Sequence, residues 1–124
     1  MTDHRHTVRA YWASAEARDW DTFATLLAET VRYEMPQTGE RITGRGTYLR
    51  FNREYPGDWH IVPLDVLVDG GRAVSRVECT VDGGTQQAVS FFEFDDAGLI
   101  SRVVDFWPEP YEPPAGREHL VDRD

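Results

Sequence analysis

Asp105 is the first candidate for chemistry in this sequence, because it interrupts an apolar segment that runs from Val103 to Trp107. Successive side chains of a β-strand point to opposite faces. Asp105 therefore shares one face with Val103 and Trp107, while Val104 and Phe106 lie on the other. The alternation places one carboxyl group in a row of apolar and aromatic side chains.

A carboxyl group among aromatic residues such as Trp107 and Tyr11 would have a pKa raised by desolvation, which suits a general acid near neutral pH. The alternative is a structural carboxylate at a strand end. Such a group would be solvated, or paired with an arginine such as Arg102 or Arg76. Both interpretations of Asp105 stay open at this point.

Three polar residues fall within otherwise apolar rows of the two preceding strands. Alternation groups Gln86, Ala88, Ser90, Phe92 and Phe94 on one strand, and Ser75, Val77, Cys79 and Val81 on the strand before it. Ser75, Ser90 and Gln86 could hydrogen-bond a ligand. They could equally satisfy one another or a bound water.

The remaining reactive residue types do not form a recognisable site. His60 begins a strand, where a histidine is more often exposed than catalytic, and Cys79 stands alone. No spacing of histidines, cysteines and carboxylates indicates a metal site. The phosphate loop, the dinucleotide fingerprint and the nucleophile elbow are all missing from the sequence. We therefore expect no metal and no cofactor.

Helical periodicity in the first half of the chain positions the aromatic residues. Residues 4–17 place Val8, Tyr11, Trp12 and Ala15 on one face. Asp19 then caps a second helix that extends to about residue 28. Thr30 to Met35 alternates as a short strand. A third helix opens near Gly44, carries Tyr48, Phe51, Asn52 and Tyr55 on one face, and stops at Pro56-Gly57.

In the second half of the chain, apolar and polar residues alternate with a period of two. Four strands are predicted at 60–69, 72–82, 85–94 and 99–107, separated by Gly70-Gly71, Gly83-Gly84 and the turn that ends at Gly98. They should form an antiparallel meander. Residues 108–124 form a Pro-rich tail that cannot join a ladder and should run extended. The chain is thus predicted to be a single α+β domain over residues 1–124, with three helices on a curved, mainly antiparallel sheet.

The composition excludes several classes of partner. The 124 residues carry 13 Lys and Arg against 22 Asp and Glu, a net charge of −9. This balance argues against nucleic acid and against an anionic membrane surface. No apolar run is long enough to span a bilayer, the N-terminal residues lack the apolar core of a signal peptide, and a lone cysteine needs no oxidising compartment. We therefore expect a cytoplasmic protein.

The order of elements resembles the nuclear transport factor 2-like superfamily and, within it, the SnoaL-like group, over residues 5 to about 107. The matching segments are Val8–Trp12 with Arg18–Asp21, Leu27–Glu34, Ile42–Phe51 and Phe94–Ile100. The resemblance implies a cone-shaped α+β barrel with a ligand cavity, often in a homodimer. It implies no single chemistry, since the superfamily includes polyketide cyclases, ketosteroid isomerases, epoxide hydrolases, dehydratases and non-catalytic binding domains.

Ketosteroid isomerases use a carboxylate base with an oxyanion hole formed by a tyrosine and a protonated aspartic acid. The resemblance places their tyrosine at Tyr11, but their base at Met35 and their protonated acid at Ser90. Methionine cannot take up a proton, and neighbouring Glu34 faces the other side of its strand. Steroid isomerisation is therefore not expected. The epoxide-hydrolase arrangement needs a second inward aspartate, which the sequence does not offer.

The resemblance also implies that the face carrying Asp105 points inward, as in SnoaL-like cyclases that use an aspartate of the last strand region as acid/base. It places a second cavity tyrosine of the isomerases at Asn52. We therefore expect one cavity, with Asp105 and Tyr11 as catalytic residues. Its ligand contacts would be Met35, Asn52, Ser90 and Trp107. A mostly apolar wall predicts an apolar or aromatic ligand with one or two oxygens.

Two functional hypotheses follow. The first is an acid/base isomerase, cyclase or dehydratase that acts on such a metabolite. The second is a ligand-binding or dimerisation module without chemistry. In either case Phe91, Val104 and Phe106 point to the outer face of the sheet beside charged residues, which predicts a homodimer formed through the sheets.

Overall fold

The computed structural model describes residues 3–124. Residues 1 and 2, the start of the N-terminal segment discussed above, lie outside the described residues. The elements in chain order are α1 (His4–Glu16), α2 (Trp20–Thr25), β1 (Leu27–Met35), β2 (Glu40–Thr43), α3 (Arg45–Arg53), β3 (Trp59–Asp69), β4 (Arg72–Val81), β5 (Gly84–Phe94), β6 (Ile100–Phe106) and a short 3-10 turn (Glu118–Leu120). The predicted α+β class is confirmed.

The strands form one sheet in the order β2-β1-β6-β5-β4-β3. All neighbours are antiparallel except β1 and β6, which run parallel. The predicted antiparallel meander over the second half of the chain is confirmed. The parallel pairing returns the end of the chain to the first strand, so that β1 and β6 lie side by side in the middle of the molecule.

Local turn chemistry explains the hairpins. Asp82 and Gly83 between β4 and β5 both have positive φ, at 49° and 89°, as a type I′ turn requires. Between β5 and β6, the Asp95 carboxylate accepts hydrogen bonds from the backbone N–H of Ala97 at 3.0 Å and of Leu99 at 2.9 Å. These turns set the register that carries each polar side chain to its face of the sheet.

The helices cover the inner face of the sheet, with α1 against β3 and β4 and α3 against β1. The predicted face of α1 is buried, and Asp19 caps α2 by accepting a hydrogen bond from the backbone N–H of Thr22. Phe23, Tyr48 and Phe92 are among the largest fully buried side chains. The core is therefore rich in aromatic residues on the side where the helices meet the sheet.

Several elements differ from the sequence prediction. The first strand begins at Leu27 instead of Thr30. The second helix ends at Thr25, because Leu27 already pairs with Ile100 of β6. The edge strand β2 was not predicted, since only one of its four residues is apolar. The third helix ends at Arg53, before Pro56. The tail contains the Glu118–Leu120 turn and is not extended throughout. Within residues 3–124, no helix has the length and apolar character needed to cross a membrane.

Candidate functional site

A cavity of about 50 Å³ lies between the helices and the inner face of the sheet. Its lining consists of Tyr11, Trp12, Ala15, Phe23, Tyr33, Met35, Phe51, Asn52, Tyr55, Trp59, Ile61, Cys79, Asp105 and Trp107. Five of the six residues predicted to line a cavity are in this set. The wall is mostly aromatic, and Asp105 is its only carboxyl group among the described residues.

Ser90 is the predicted lining residue that the structure places elsewhere. It is fully buried and lies opposite Asp105 in the register of β5 and β6. Its hydroxyl donates a hydrogen bond of 2.5 Å to Asp105 Oδ1. Alternation grouped Ser90 with Ala88 and Phe92, and all three residues are buried. Ser90 is not part of the cavity lining, and its hydroxyl contacts the candidate acid Asp105.

Asp105 is a buried carboxyl group with only 5% of its surface exposed. Burial raises the pKa of this carboxyl, because the charged form loses its hydration. Hydrogen bonds from Ser90, Tyr33 and Trp107 act in the opposite direction and lower the pKa. The burial effect is the largest, so Asp105 holds its proton to a higher pH than an ordinary aspartic acid.

Neither arginine considered as a partner for Asp105 pairs with it. Arg102 bonds to Glu34 and Glu93, each at 2.8 Å, and Arg76 bonds to Asp65 at 2.6 Å. Glu34 is directed away from the cavity, as its position beside Met35 predicted. Asp105 is therefore neither solvated nor paired with either of these arginines.

Tyr11 reaches the cavity from α1, and its hydroxyl is hydrogen-bonded to the hydroxyl of Tyr48 on α3. Both residues are buried, and burial raises the pKa of each phenol. The nearby Asp105 carboxyl raises both values further, as it does for Tyr33. These three hydroxyls stay protonated at neutral pH and act as hydrogen-bond donors.

The other predicted ligand contacts lie at the rim of the cavity. Asn52 lines it, and its amide donates a hydrogen bond of 2.9 Å to the backbone carbonyl of Tyr48. Met35 is the last residue of β1. Trp107 follows the last residue of β6, and its side chain lies against Asp105. The rim therefore combines one amide, one thioether and one indole.

Three other polar residues singled out in the sequence have protein partners. Ser75 accepts a hydrogen bond of 3.0 Å from the indole of Trp12. Gln86 donates to the backbone carbonyls of Trp107 and Pro108. His60 lies outside the cavity, with Nδ1 2.9 Å from Glu16 Oε2, and this hydrogen bond raises the pKa of His60. None of the three residues contacts the cavity.

Two residues that complete the site were missed in the sequence analysis. Tyr33 lies two positions before Met35 on β1, so alternation from the inward Met35 that the resemblance implies also predicts an inward Tyr33. Tyr48 was identified only as part of a helix face. Nothing in the sequence indicates that its hydroxyl meets that of Tyr11, since this depends on how α3 packs against α1.

The chemistry available to the site follows from its charges. One carboxyl group with a raised pKa lies among neutral tyrosine hydroxyls, and no described lining residue carries a positive charge. The cavity would disfavour an anionic ligand. It can donate hydrogen bonds to an oxygen, and it can donate or accept one proton at Asp105. No set of three or more histidine, cysteine, aspartate or glutamate side chains in residues 3–124 could hold a metal ion.

Comparison with known proteins identifies the fold and the family. A family model described as the SnoaL-like domain matches residues 8–103. A crystal structure described as a "putative ketosteroid isomerase" from Kribbella flavida DSM 17836 is 55% identical, with a TM-score of 0.94 over 98% of this chain and 89% of that chain. No curated protein matches the chain.

More distant structures share the fold alone. An NTF-2 like protein of unknown function from Burkholderia xenovorans LB400 is 23% identical, with a TM-score of 0.82 over 98% of this chain and 94% of that chain. A "putative polyketide cyclase" from Sinorhizobium meliloti is also 23% identical, with a TM-score of 0.72 over 82% of this chain and 94% of that chain. The chain therefore belongs to the SnoaL-like domain family and has the nuclear transport factor 2-like fold.

Proposed function

We propose that this protein binds a neutral apolar or aromatic metabolite in the cavity and moves one proton on it. Asp105 is the acid/base, and Tyr11 donates a hydrogen bond to an oxygen of the ligand. The observation that carries the proposal is the buried Asp105 carboxyl in an aromatic cavity without a cationic partner. A buried carboxyl without a cationic partner carries a desolvation cost, and such groups are concentrated at functional sites.

The hydroxyl pair supports the role of Tyr11. Two hydroxyls carry two protons, and their mutual hydrogen bond uses one of them. Either hydroxyl can be the donor of this bond; in the arrangement in which Tyr48 donates to Tyr11, the Tyr11 proton is free to point into the cavity. The first hydrogen bond then strengthens the second by polarisation. Tyr11 is thereby a better donor to a ligand carbonyl than an isolated phenol.

One proton transfer accounts for isomerisation, cyclisation or dehydration as the reaction class. In its ionised form, Asp105 takes a proton from the carbon next to the ligand carbonyl, and the C–H electron pair moves toward the carbonyl oxygen. Tyr11 stabilises the resulting enolate through its hydrogen bond. Asp105 then returns the proton to another atom of the ligand, so the protein ends in its starting state. No co-reactant is needed for this sequence.

Steroid isomerisation itself is not part of the proposal, although a relative carries that description. Met35 lies at the rim where the resemblance places the isomerase base, and a thioether is not a proton acceptor at neutral pH. Ser90 occupies the position of the second acid and is bonded to Asp105. A different proton donor and acceptor arrangement suits a different substrate.

A non-catalytic ligand-binding module is the second candidate. It is favoured by the partners that the polar groups of the site already have, since Ser90 bonds to Asp105 and Tyr11 bonds to Tyr48. Such pairs stabilise a fold without any reaction. The two candidates differ in one measurable property, which is whether Asp105 exchanges a proton with a bound ligand.

The test is deuterium exchange at the acidic carbon of 2-tetralone, a neutral bicyclic ketone, followed by NMR in D₂O. We expect the protein to accelerate exchange by about 10²–10⁴-fold over buffer, the range of general acid–base catalysis. Asp105→Asn should abolish this while 2-tetralone still quenches tryptophan fluorescence. Asp96→Asn, in an exposed turn, is the matched control. Binding without exchange in the wild type would instead support the binding module.

We also propose that two copies associate through the outer faces of their sheets. Phe91 is 49% exposed and packs edge-to-face against Phe106, with ring centroids 6.0 Å apart. Leu67 lies in the same groove and is 63% exposed. Exposed aromatic and aliphatic groups bordered by the Arg102 ion pairs suit a self-complementary contact.

A further inference from the structure

The Pro-rich tail forms an open depression of about 630 Å³ directly outside the cavity. Met35, Tyr55 and Trp107 line both spaces. The cavity alone is well below the ~300–1,000 Å³ of ordinary ligand sites. A ligand whose reacting end lies beside Asp105 must therefore extend past these three side chains into the depression.

The boundary between the two spaces is fixed by two glutamines. Gln37 accepts a hydrogen bond from the backbone N–H of Trp107 and donates one of 3.1 Å to its carbonyl. Gln86 donates to the carbonyls of Trp107 and Pro108, at 3.3 and 3.2 Å. β6 ends at Phe106, and proline has no N–H for a ladder. The glutamine amides thus replace sheet hydrogen bonds and hold the start of the tail in place.

The outer wall of the depression is made by the tail itself. Pro108, Glu109 and Tyr111 line it, and Tyr111 is 83% exposed. A tyrosine left this open offers a flat apolar surface and a hydroxyl to a bound molecule. These residues lie beyond residue 103, where the match to the family model ends.

We propose that this depression is an outer subsite for the distal half of an elongated, neutral ligand, which stacks on Tyr111. The inference rests on the proposed ligand-binding function. Glu109 is the only charged residue that lines the depression within the described part of the chain, and neither space presents a basic side chain. The subsite therefore disfavours a carboxylate or a phosphate at the distal end. An aromatic or hydroxylated end suits it.

The test compares three probes by fluorescence titration. They are 2-naphthol, 6-phenyl-2-naphthol, and the analogue of the second that carries a carboxylate on the far end of the phenyl ring. The naphthol hydroxyl is intended for the site beside Asp105, and the added ring is the group offered to the depression. We expect the phenyl compound to bind about tenfold more tightly than 2-naphthol, from the apolar area it buries. The carboxylate should remove this gain.

Two variants in the tail test whether the tighter binding of the phenyl compound arises at the outer subsite. Tyr111→Ala should reduce the advantage of the phenyl compound at least threefold, measured as the ratio of its affinity to that of 2-naphthol in the same variant. Leu120→Ala is the matched control, because Leu120 is also an exposed tail residue but does not line the depression. Since both side chains are exposed, both variants should fold.

The outcomes separate this inference from the proposed function. Binding of 2-naphthol with no gain from the phenyl ring would overturn the outer subsite alone. An equal effect of Tyr111→Ala and Leu120→Ala, or an undiminished affinity for the carboxylate probe, would do the same. Absence of binding by all three probes would overturn the proposed function and the subsite with it.

Discussion

Ser90 and Asp105 face each other across β5 and β6, joined by a 2.5 Å hydrogen bond from the serine hydroxyl to the carboxyl. The resemblance to ketosteroid isomerases places an acid at Ser90, yet in this chain the carboxyl lies on the neighbouring strand. Directly opposed residues of antiparallel strands have Cβ atoms about 4.5–5.5 Å apart. The Ser90 hydroxyl is therefore positioned to donate its hydrogen bond to the Asp105 carboxyl.

Ser90→Ala should raise the pKa of Asp105. The Ser90 hydroxyl stabilises the ionised carboxyl, so its removal favours the protonated form. NMR titration of ¹³C-labelled aspartate carboxyls measures the change directly. Leaving the buried carboxyl short of a donor should also cost about 1–3 kcal/mol of stability.

Ser75→Ala is the matched control for this prediction, because Ser75 is buried and bonded to Trp12 rather than to Asp105. It should lower stability but leave the Asp105 titration unchanged. An unshifted Asp105 pKa in Ser90→Ala, or an equal shift in Ser75→Ala, would contradict the assigned role of Ser90.

Asp105→Asn should stabilise the protein at high pH and have little effect at low pH. The folded-state pKa of Asp105 lies above its unfolded value. The stabilisation that Asp105 gives the folded state is therefore fully present below the pKa of the unfolded chain, near 3.9. It is lost as the pH rises through the pKa of Asp105 in the folded protein. The asparagine amide has the same shape but does not titrate, so the variant loses no stability over that pH range.

Thermal unfolding at pH 4, 6 and 8 measures how the stability difference between Asp105→Asn and wild type changes with pH. The melting temperature of Asp105→Asn should rise relative to wild type as pH increases, by roughly 3–6 °C for each kcal/mol gained. Asp96→Asn, an exposed carboxyl in the β5–β6 turn, should show no such trend. A constant difference between Asp105→Asn and wild type at all three pH values would contradict a raised pKa.

Tyr48→Phe should slow 2-tetralone exchange about tenfold, roughly the effect of one lost hydrogen bond of about 1.4 kcal/mol. The Tyr48 hydroxyl is the partner of Tyr11, and without it Tyr11 is a weaker donor to the developing enolate. The effect should fall on kcat, with KM little changed. Steady-state exchange rates at several ketone concentrations separate the two.

Tyr111→Phe serves as the control for the loss of a tyrosine hydroxyl outside the cavity. It should leave kcat unchanged. Equal exchange rates for Tyr48→Phe and wild type would contradict a catalytic role of the Tyr11–Tyr48 hydrogen bond. The role of Asp105 is tested separately by Asp105→Asn.

Local patterns predicted most of what lies on one strand or one helix. Alternation placed Asp105 and Trp107 on one face, the resemblance directed that face inward, and helical phase gave the direction of Tyr11. Alternation along β5 also placed Ser90 on the face that the resemblance directs inward, but it did not predict that Ser90 is absent from the cavity lining.

Contacts between distant segments were not predictable in the same way. The parallel pairing of β1 with β6 sets Tyr33 opposite Val103, and this brings the Tyr33 hydroxyl to Asp105. No local pattern specifies a parallel pair, because its energy comes from segments about 70 residues apart. The same holds for the Gln37 contact with Trp107, which depends on where β1 turns toward β2.

Phe91→Asp should convert a dimer into a folded monomer. In a symmetric contact the same patch meets itself, so one substitution places two new carboxylates in the interface. Analytical ultracentrifugation at about 50 µM should give twice the 14.2 kDa chain mass for the wild type and the single chain mass for Phe91→Asp. Unchanged circular dichroism would show that the variant is folded, as expected for a residue that is 49% exposed.

Leu120→Asp introduces the same charge at an exposed tail position and should remain dimeric. A wild-type chain that sediments as a monomer, or a Phe91→Asp variant that stays dimeric, would contradict association through this face of the sheet.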